Sequence, residues 1–242
     1  MITLFFQSTL TNLTNMLTEL EEALNNPSAT NYGDNEFSEW ELQRLGKFTS
    51  SRIGDLMSKG RSKDKVWGDM AMRYIYEKIA ELMTGVPHFN AESKAIQWGN
   101  DHEHLAIKEY NKGAKEKAKH MGTTFIEFND MCGGSPDAFV GNDGILEVKC
   151  PYVSANHIKT FITGEISKAH MFQCQGNMLF ADKKWCEYVS YDPRMPEGIQ
   201  LKIIRVNRDY DMCNQILDRI SEATKEMERI QQLTGIDIKI NF

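Results

Sequence analysis

Gly133-Gly134-Ser135-Pro136-Asp137-Ala138-Phe139-Val140-Gly141-Asn142-Asp143-Gly144-Ile145-Leu146-Glu147-Val148-Lys149 is the stretch that decides how this chain is read. Two β-rich runs, 135–140 and 145–149, flank a Gly-Asn-Asp-Gly segment with the composition of a tight hairpin turn. Side chains alternate across a strand, so Glu147 and Lys149 share one face and Val148 enters the opposite layer. The hairpin sets the Asp137 strand beside the Glu147 strand, and two carboxylates and an ammonium then converge. Like charges that close repel, and a hard divalent cation with oxygen ligands, Mg²⁺ or Mn²⁺, relieves the repulsion. The Val148 carbonyl offers a further oxygen. Lys149 is then placed to hold or help deprotonate an attacking water, or to stabilise charge on a phosphate. Alone, Glu-x-Lys is a common solvent-facing pair. The Ser-Pro-Asp ten residues upstream, within a second β-rich run, points to a site.

Outward from this hairpin the period is helical. Residues 66–84 and 94–112 carry helical apolar spacing, closed by Gly85 and Gly113. Ser38 with Glu41 forms a capping box for a short helix ending near Gly46, and Ser50 or Ser51 caps another through Met57. Residues 123–128 add a third strand to an expected meander. Helices follow over 154–162 and 168–181, then strands over 185–191 and 199–206, and a last helix over about 209–233. Helices, strands, helices, strands and a helix predict an α/β or α+β core, a mixed sheet flanked by helices. Leu13, Met16, Leu17, Leu20 and Leu24 predict an amphipathic helix over 12–25, and 25–36 reads as a linker.

Composition narrows the class. The 242 residues are 41% hydrophobic and 26% charged, with 17 Gly and 6 Pro, enough apolar side chain for a core and too little Gly and Pro for a low-complexity chain. No run is long enough to span a membrane, and the first ten residues lack a basic secretory n-region. Residues 1–46 hold one base, Arg44, against seven acids, and so carry the entire net charge of −6. The rest is neutral, which leaves room for a local basic groove. The reading therefore divides the chain into an acidic helical extension, 1–46, and a main domain, 47–242. The five cysteines have no Cys-x-x-Cys pair, which predicts reduced thiols in a cytosol and no zinc or iron–sulfur spacing.

A third acid is expected from the helix containing Trp98-Gly99-Asn100-Asp101-His102-Glu103-His104. Glu103 is chosen over Asp101 and Glu109, which read as surface residues. His102 and His104 invite a zinc reading, but positions i and i+2 do not share a helix face. Lys59, Arg61, Lys63 and Lys65 form a loop suited to sequence-independent, salt-sensitive backbone contact. Lys108, Lys112, Lys115, Lys117 and Lys119 form a second basic stretch. Trp67, Tyr74 and Tyr76, at helical spacing beside Met70 and Ile79, read as core more than as base-stacking residues.

Arg52 after Ser51, Gly99-Asn100-x-x-Glu103, Ser135-Pro136-Asp137, Leu146-Glu147-Val148-Lys149-Cys150-Pro151, Gln173-x-Gln175 and Tyr191-Asp192-Pro193-Arg194-Met195 together resemble the phage lambda exonuclease family, the YqaJ-type viral recombinase nucleases of the PD-(D/E)xK superfamily. The resemblance spans about residues 47–230, with the motifs in the same order. It implies a restriction-endonuclease-like core and a metal-dependent exonuclease that degrades one strand of duplex DNA from a 5′ end, leaving a 3′ tail for phage recombination by strand annealing. By matching position, Glu103, Asp137, Glu147 and the Val148 carbonyl would be metal ligands and Lys149 the catalytic lysine. Arg52 and Ser135, with Ser51 adding a hydroxyl, would bind the 5′-terminal phosphate, and Gln173 would stand near the active site. His170, three residues before that glutamine, occupies a position where a member of the family has tyrosine. The resemblance also implies a ring of three subunits and a single-strand annealing partner, in the cytoplasm of a bacterial host. Two other readings share the residues: a restriction-like or junction-resolving endonuclease, and a non-catalytic subunit that binds DNA ends.

Overall fold

The computed structural model describes residues 37–60, 66–88, 93–235 and 238. The segment expected to hold the first amphipathic helix and its linker lies outside these residues, as do Arg61, Lys63 and Lys65. After helix α1 (Glu39–Gln43) come strand β1 (Phe48–Thr49), a 3-10 turn (Ser50–Arg52) and the helical turn α2 (Ile53–Leu56). The long helices α3 (Asp69–Thr84) and α4 (Lys94–Gly113) follow. Next are strands β2 (Ala118–His120), β3 (Ile126–Asn129), β4 (Cys132–Gly134), β5 (Ala138–Val140) and β6 (Gly144–Lys149). The chain ends with α5 (Ser154–Thr163), α6 (Lys168–Phe180), β7 (Trp185–Tyr191), β8 (Leu201–Asn207) and α7 (Tyr210–Thr234). Glu39–Phe242 forms one compact unit.

Local chemistry sets the boundaries. Gly85 ends α3 in the left-handed conformation at φ +68°. Ser93, Ser167 and Asp209 cap α4, α6 and α7 by accepting a backbone N–H three residues on. Gly113 does not stop α4, which runs through it to an extended Ala114. Gly141, at φ +57°, makes the expected turn between β5 and β6.

The expected three-strand meander is divided between two sheets. β3 and β4 pair antiparallel in a small sheet with β1, of order β1-β4-β3. β5 and β6 belong to a five-stranded sheet, β2-β5-β6-β7-β8. The run 135–140 breaks because Pro136 has no N–H for a ladder, so only Ala138–Val140 pairs. β1 and β2, at two and three residues, are too short to leave a period in the sequence. All neighbours in the large sheet are antiparallel except β6 and β7, which are joined by the crossover through α5 and α6. The mixed sheet flanked by helices is thus as expected.

β6 is buried on both faces. Leu146 and Val148 pack with Ala106, Ile107 and Tyr110 of α4. Ile145 packs with Cys174 and Met178 of α6. The face that α6 covers is also the face to which Glu147 and Lys149 point. Of the aromatics on and before α3, Tyr74 is core, with its hydroxyl accepting from the Thr49 N–H. Trp67 lies under Arg219, and Tyr76 is exposed.

Candidate active site

The β5–β6 ladder pairs Ala138 with Leu146 and Phe139 with Ile145. One further step sets Asp137 opposite Glu147. Glu147 is fully buried, and its two oxygens are both engaged. Lys149 Nζ stands 2.6 Å from Oε1, and Asn177 Nδ2 of α6 donates to Oε2 at 2.8 Å. Asn177 is held in turn by Ser50, whose hydroxyl donates to Oδ1 at 2.6 Å. This network needs Gly134, because a Cβ there would stand 2.4 Å from Asn177 Oδ1. Asp137 Oδ2 accepts the Val148 N–H at 2.5 Å. The two carboxylates and the ammonium share one face, with Val148 in the opposite layer, as the alternation predicts.

The charges of the cluster act on one another at close range. Burial, then the negative charges of Glu147 and Glu103, push the Asp137 carboxyl well above the usual carboxylate range, against the pull of Lys149 and the Val148 N–H. Burial draws Lys149 down, but Glu147 and Asp137 outweigh it and hold the ammonium above its ordinary value. Held against Glu147, the Lys149 amine is placed to orient water and to stabilise negative charge. Beside it, burial and the same ammonium lower His170 to about 4. Its Nδ1 pairs with the Tyr188 hydroxyl at 2.9 Å. Burial and the site's acids raise the Cys150 thiol to about 12, which keeps it protonated and unreactive.

A cleft of about 580 Å³ opens on the Asp137 side of this centre, with Glu147 and Lys149 outside its wall. Asp137, Glu103, Ser51, Ser135 and Gln173 line it, so five of the expected site residues meet there. Glu103 reaches it from α4 and pairs with His120 of β2 at 3.1 Å. His120 is a site residue that sequence reading missed, since a three-residue strand gives no periodic signal. His102 turns away, its ring stacked on Trp98 and Nδ1 at 2.7 Å from the Trp98 carbonyl, while His104 lines the cleft. A second cavity, about 840 Å³, is lined by Lys149, His170 and Tyr188.

Arg52 is not placed as expected. It pairs with Asp55 at 2.8 Å and with Glu77, lies 4.2 Å from the Tyr74 ring, and is not part of the cleft wall. Two carboxylates already satisfy its fork. The guanidinium on the cleft wall is Arg44, seated 3.9 Å over the Trp40 ring. Burial lowers the Arg44 pKa against the attraction of Tyr74, Glu81 and Glu41. Trp40 donates to Ser135 Oγ at 3.1 Å, which ties α1 to the Ser-Pro-Asp segment. The Trp40–Arg44 spacing of four residues is the available signal, although by charge alone both fall within the acidic extension. Lys59 is exposed and is not part of the cleft wall.

Among the described residues no three His, Cys, Asp or Glu side chains close a metal shell by themselves. Hard cations do not require that, since Mg²⁺ is commonly held by one or two carboxylates and completes its shell with water and substrate oxygens. The donors fit such an ion. They are oxygens, and the Asp137, Glu147 and Glu103 carboxyl groups stand beside the single ammonium of Lys149.

A mixed sheet that offers Asp137, Glu147 and Lys149 on one face beside a cleft defines a nuclease fold of the PD-(D/E)xK kind. The comparisons agree. The profile of the YqaJ-like viral recombinase domain matches residues 39–184, and the chain belongs to that family. It is similar to the crystal structure of an alkaline exonuclease, LHK-Exo, from Laribacter hongkongensis, with 32% identity and a TM-score of 0.71, covering 81% of this chain and 95% of that one. A structure of LHK-Exo with dAMP matches at 30% identity and the same TM-score, covering 81% and 97%. A phage-related exonuclease from Haemophilus somnus 129PT shares the fold at 19% identity and TM-score 0.61, covering 77% and 95%. No curated protein matches. Among the described residues no helix is long and apolar enough to cross a membrane.

Proposed function

We propose that this chain is a divalent-cation-dependent exonuclease that hydrolyses one strand of duplex DNA from its 5′ end and leaves a 3′ single-stranded tail for recombination by strand annealing. The observation that carries the reading is the convergence of Asp137, Glu147 and Lys149 beside a cleft walled by Arg44, Ser51 and Ser135. Asp137, Glu147, Glu103 and the Val148 carbonyl would hold Mg²⁺ or Mn²⁺. The bound ion supplies charge neutralisation and Lewis acidity at the scissile phosphate. Arg44, with the Ser51 and Ser135 hydroxyls, binds the terminal 5′-phosphate through its planar fork of donors. This takes over the role that the resemblance implies for Arg52. Lys149, fixed by Glu147, orients the attacking water and stabilises charge on the phosphate. Asn177 keeps Glu147 in place, and Gln173 lines the approach. A ring of three subunits around DNA and an annealing protein on the 3′ tail complete the proposal. The mass of the assembly in solution and a pull-down check these two parts.

A time course on linear duplex, labelled at either end, tests the activity. With Mg²⁺ the 5′ label is expected to appear at once as mononucleotide, and the 3′-labelled strand as a shortening ladder. Chelator stops both. Lys149→Ala is expected to lose about 10²–10³-fold in rate while remaining folded. Release of the 3′ label first, efficient nicking of closed circular plasmid, or wild-type rates in Lys149→Ala would each overturn the proposal.

A further inference from the structure

The reaction leaves one sequence motif without a role, Tyr191-Asp192-Pro193-Arg194-Met195 at the exit of β7. Its arginine is engaged through two of its three nitrogens and through one face. Arg194 Nε donates to Asp192 Oδ1 at 2.8 Å, and one terminal nitrogen donates to Oδ2 at 2.9 Å. That nitrogen also reaches the carbonyls of Pro151 and Tyr152, both at 3.0 Å. The face of the guanidinium lies 4.2 Å from the Trp98 ring. Asp192 is fully buried, and hydrogen bonds from Arg194 and Ser154 override the effect of burial to hold its carboxyl down at about 2.

Each contact is on a different part of the site frame. Asp192 ends β7. Pro151 and Tyr152 follow Lys149 by two and three residues on the way out of β6. Trp98 is in α4, five residues before Glu103, and stacks on its other neighbour His102 at 3.7 Å between ring centres. The edge of Tyr152 meets the same indole at 6.2 Å. One planar group therefore joins the helix that carries Glu103 to the strand that carries Glu147 and Lys149. Only a guanidinium supplies a carboxylate fork, spare donors for two carbonyls and a flat face for an indole together; an ammonium has neither fork nor plane.

We propose that Arg194 is a positioning residue of the nuclease site: it sets where Glu103 stands relative to Asp137 and Lys149, without touching DNA. The inference rests on the proposed cation-dependent hydrolysis, since it assigns Glu103 to the cation. Glu103 and Asp137 line the same cleft, so a small movement of α4 changes how far apart the two carboxylates stand.

The test compares wild type with Arg194→Lys and Trp98→Leu. It measures Mn²⁺ affinity without DNA by titration calorimetry, kcat and KM on 5′-phosphorylated duplex, and Tm. Arg194→Lys is expected to stay folded, to bind Mn²⁺ about tenfold or more weakly, and to lose kcat with KM within about twofold. Raising the cation concentration is expected to recover part of the rate. Trp98→Leu, which removes the platform but leaves the Asp192 pair, is expected to show the same pattern more weakly. A lowered Tm with unchanged Mn²⁺ affinity and kcat in both variants would make Arg194 a structural brace only and overturn the inference. A wild type without cation-dependent hydrolysis would instead fail the parent reading, and unchanged Mn²⁺ affinity in Arg194→Lys would then still decide against Arg194.

Discussion

At the scale of single residues, two arginines eight positions apart stand in different surroundings. Arg52 is bound to Asp55 and Glu77, whereas Arg44 sits over Trp40 on the cleft wall. A desolvated guanidinium facing a cleft gains most from an anionic ligand, and charge-assisted bonds to phosphate contribute about 1.5–3 kcal/mol each. Arg44→Ala is therefore expected to reduce the preference for 5′-phosphorylated over 5′-hydroxyl ends by about 10- to 100-fold. Arg52→Ala is expected to leave that ratio unchanged and to lower stability by about 1–2 kcal/mol, because Glu77 loses a partly buried partner. Rates on paired substrates with the two ends, and urea unfolding of each variant, check both outcomes. The sequence could not separate these arginines, since either matches phosphate chemistry and what distinguishes them is which carboxylates the fold brings near. The acidic pair and its lysine were legible because strand alternation is rigid. His120 and Asn177 were not, since their partners lie 17 and 30 residues away.

At the scale of elements, β4 and β7 support the site from behind. Gly134 in β4 lies against Asn177, and an added Cβ would also stand 2.8 Å from Ser50 Oγ. Neither can yield easily, because each holds the other. Gly134→Ala is expected to cost about 1–3 kcal/mol by overpacking. It is also expected to lower kcat, since Asn177 leaves Glu147; an intact kcat in a destabilised variant would remove Asn177 from the mechanism. At the exit of β7, the Asp192 carboxyl falls from an ordinary 3.8 to about 2. A group with a depressed folded pKa contributes stability above the unfolded value, and that stability is lost as pH falls through the folded value. Asp192 is thus expected to contribute about 1–2 kcal/mol above pH 4, discounted for the partly exposed Arg194, fading between about pH 4 and 2. Asp192→Asn should flatten that part of the stability curve, measured by unfolding in urea across pH. These elements were only half legible. The long helices and β6 to β8 have clear periods. The split into two sheets does not, because it depends on one proline and on which short strands accept β4 as a neighbour.

At the scale of the whole molecule, the position of the acidic charge separates two deletions that differ by eight residues. Removing 1–38 takes away five acids and no base, which moves the formal charge from −6 to −1. It leaves Glu39–Phe242, the compact unit, with Trp40 and Arg44 on the cleft wall. Removing 1–46 also deletes α1, and with it the indole bonded to Ser135, the guanidinium, and Gly46, whose N–H donates to the buried Glu81. The first deletion is expected to retain nuclease activity and to bind duplex at least as tightly at low salt, since less negative charge opposes the phosphates. The second is expected to lose the 5′-phosphate preference and, with Glu81 short of a partner, about 1–3 kcal/mol of stability. Anisotropy with labelled duplex across a salt series, together with the end-labelled time course, measures both. Equal activity in the two truncated chains would place the phosphate pocket away from Arg44. Loss of activity on removing 1–38 alone would mean that the cleft wall needs residues before Glu39.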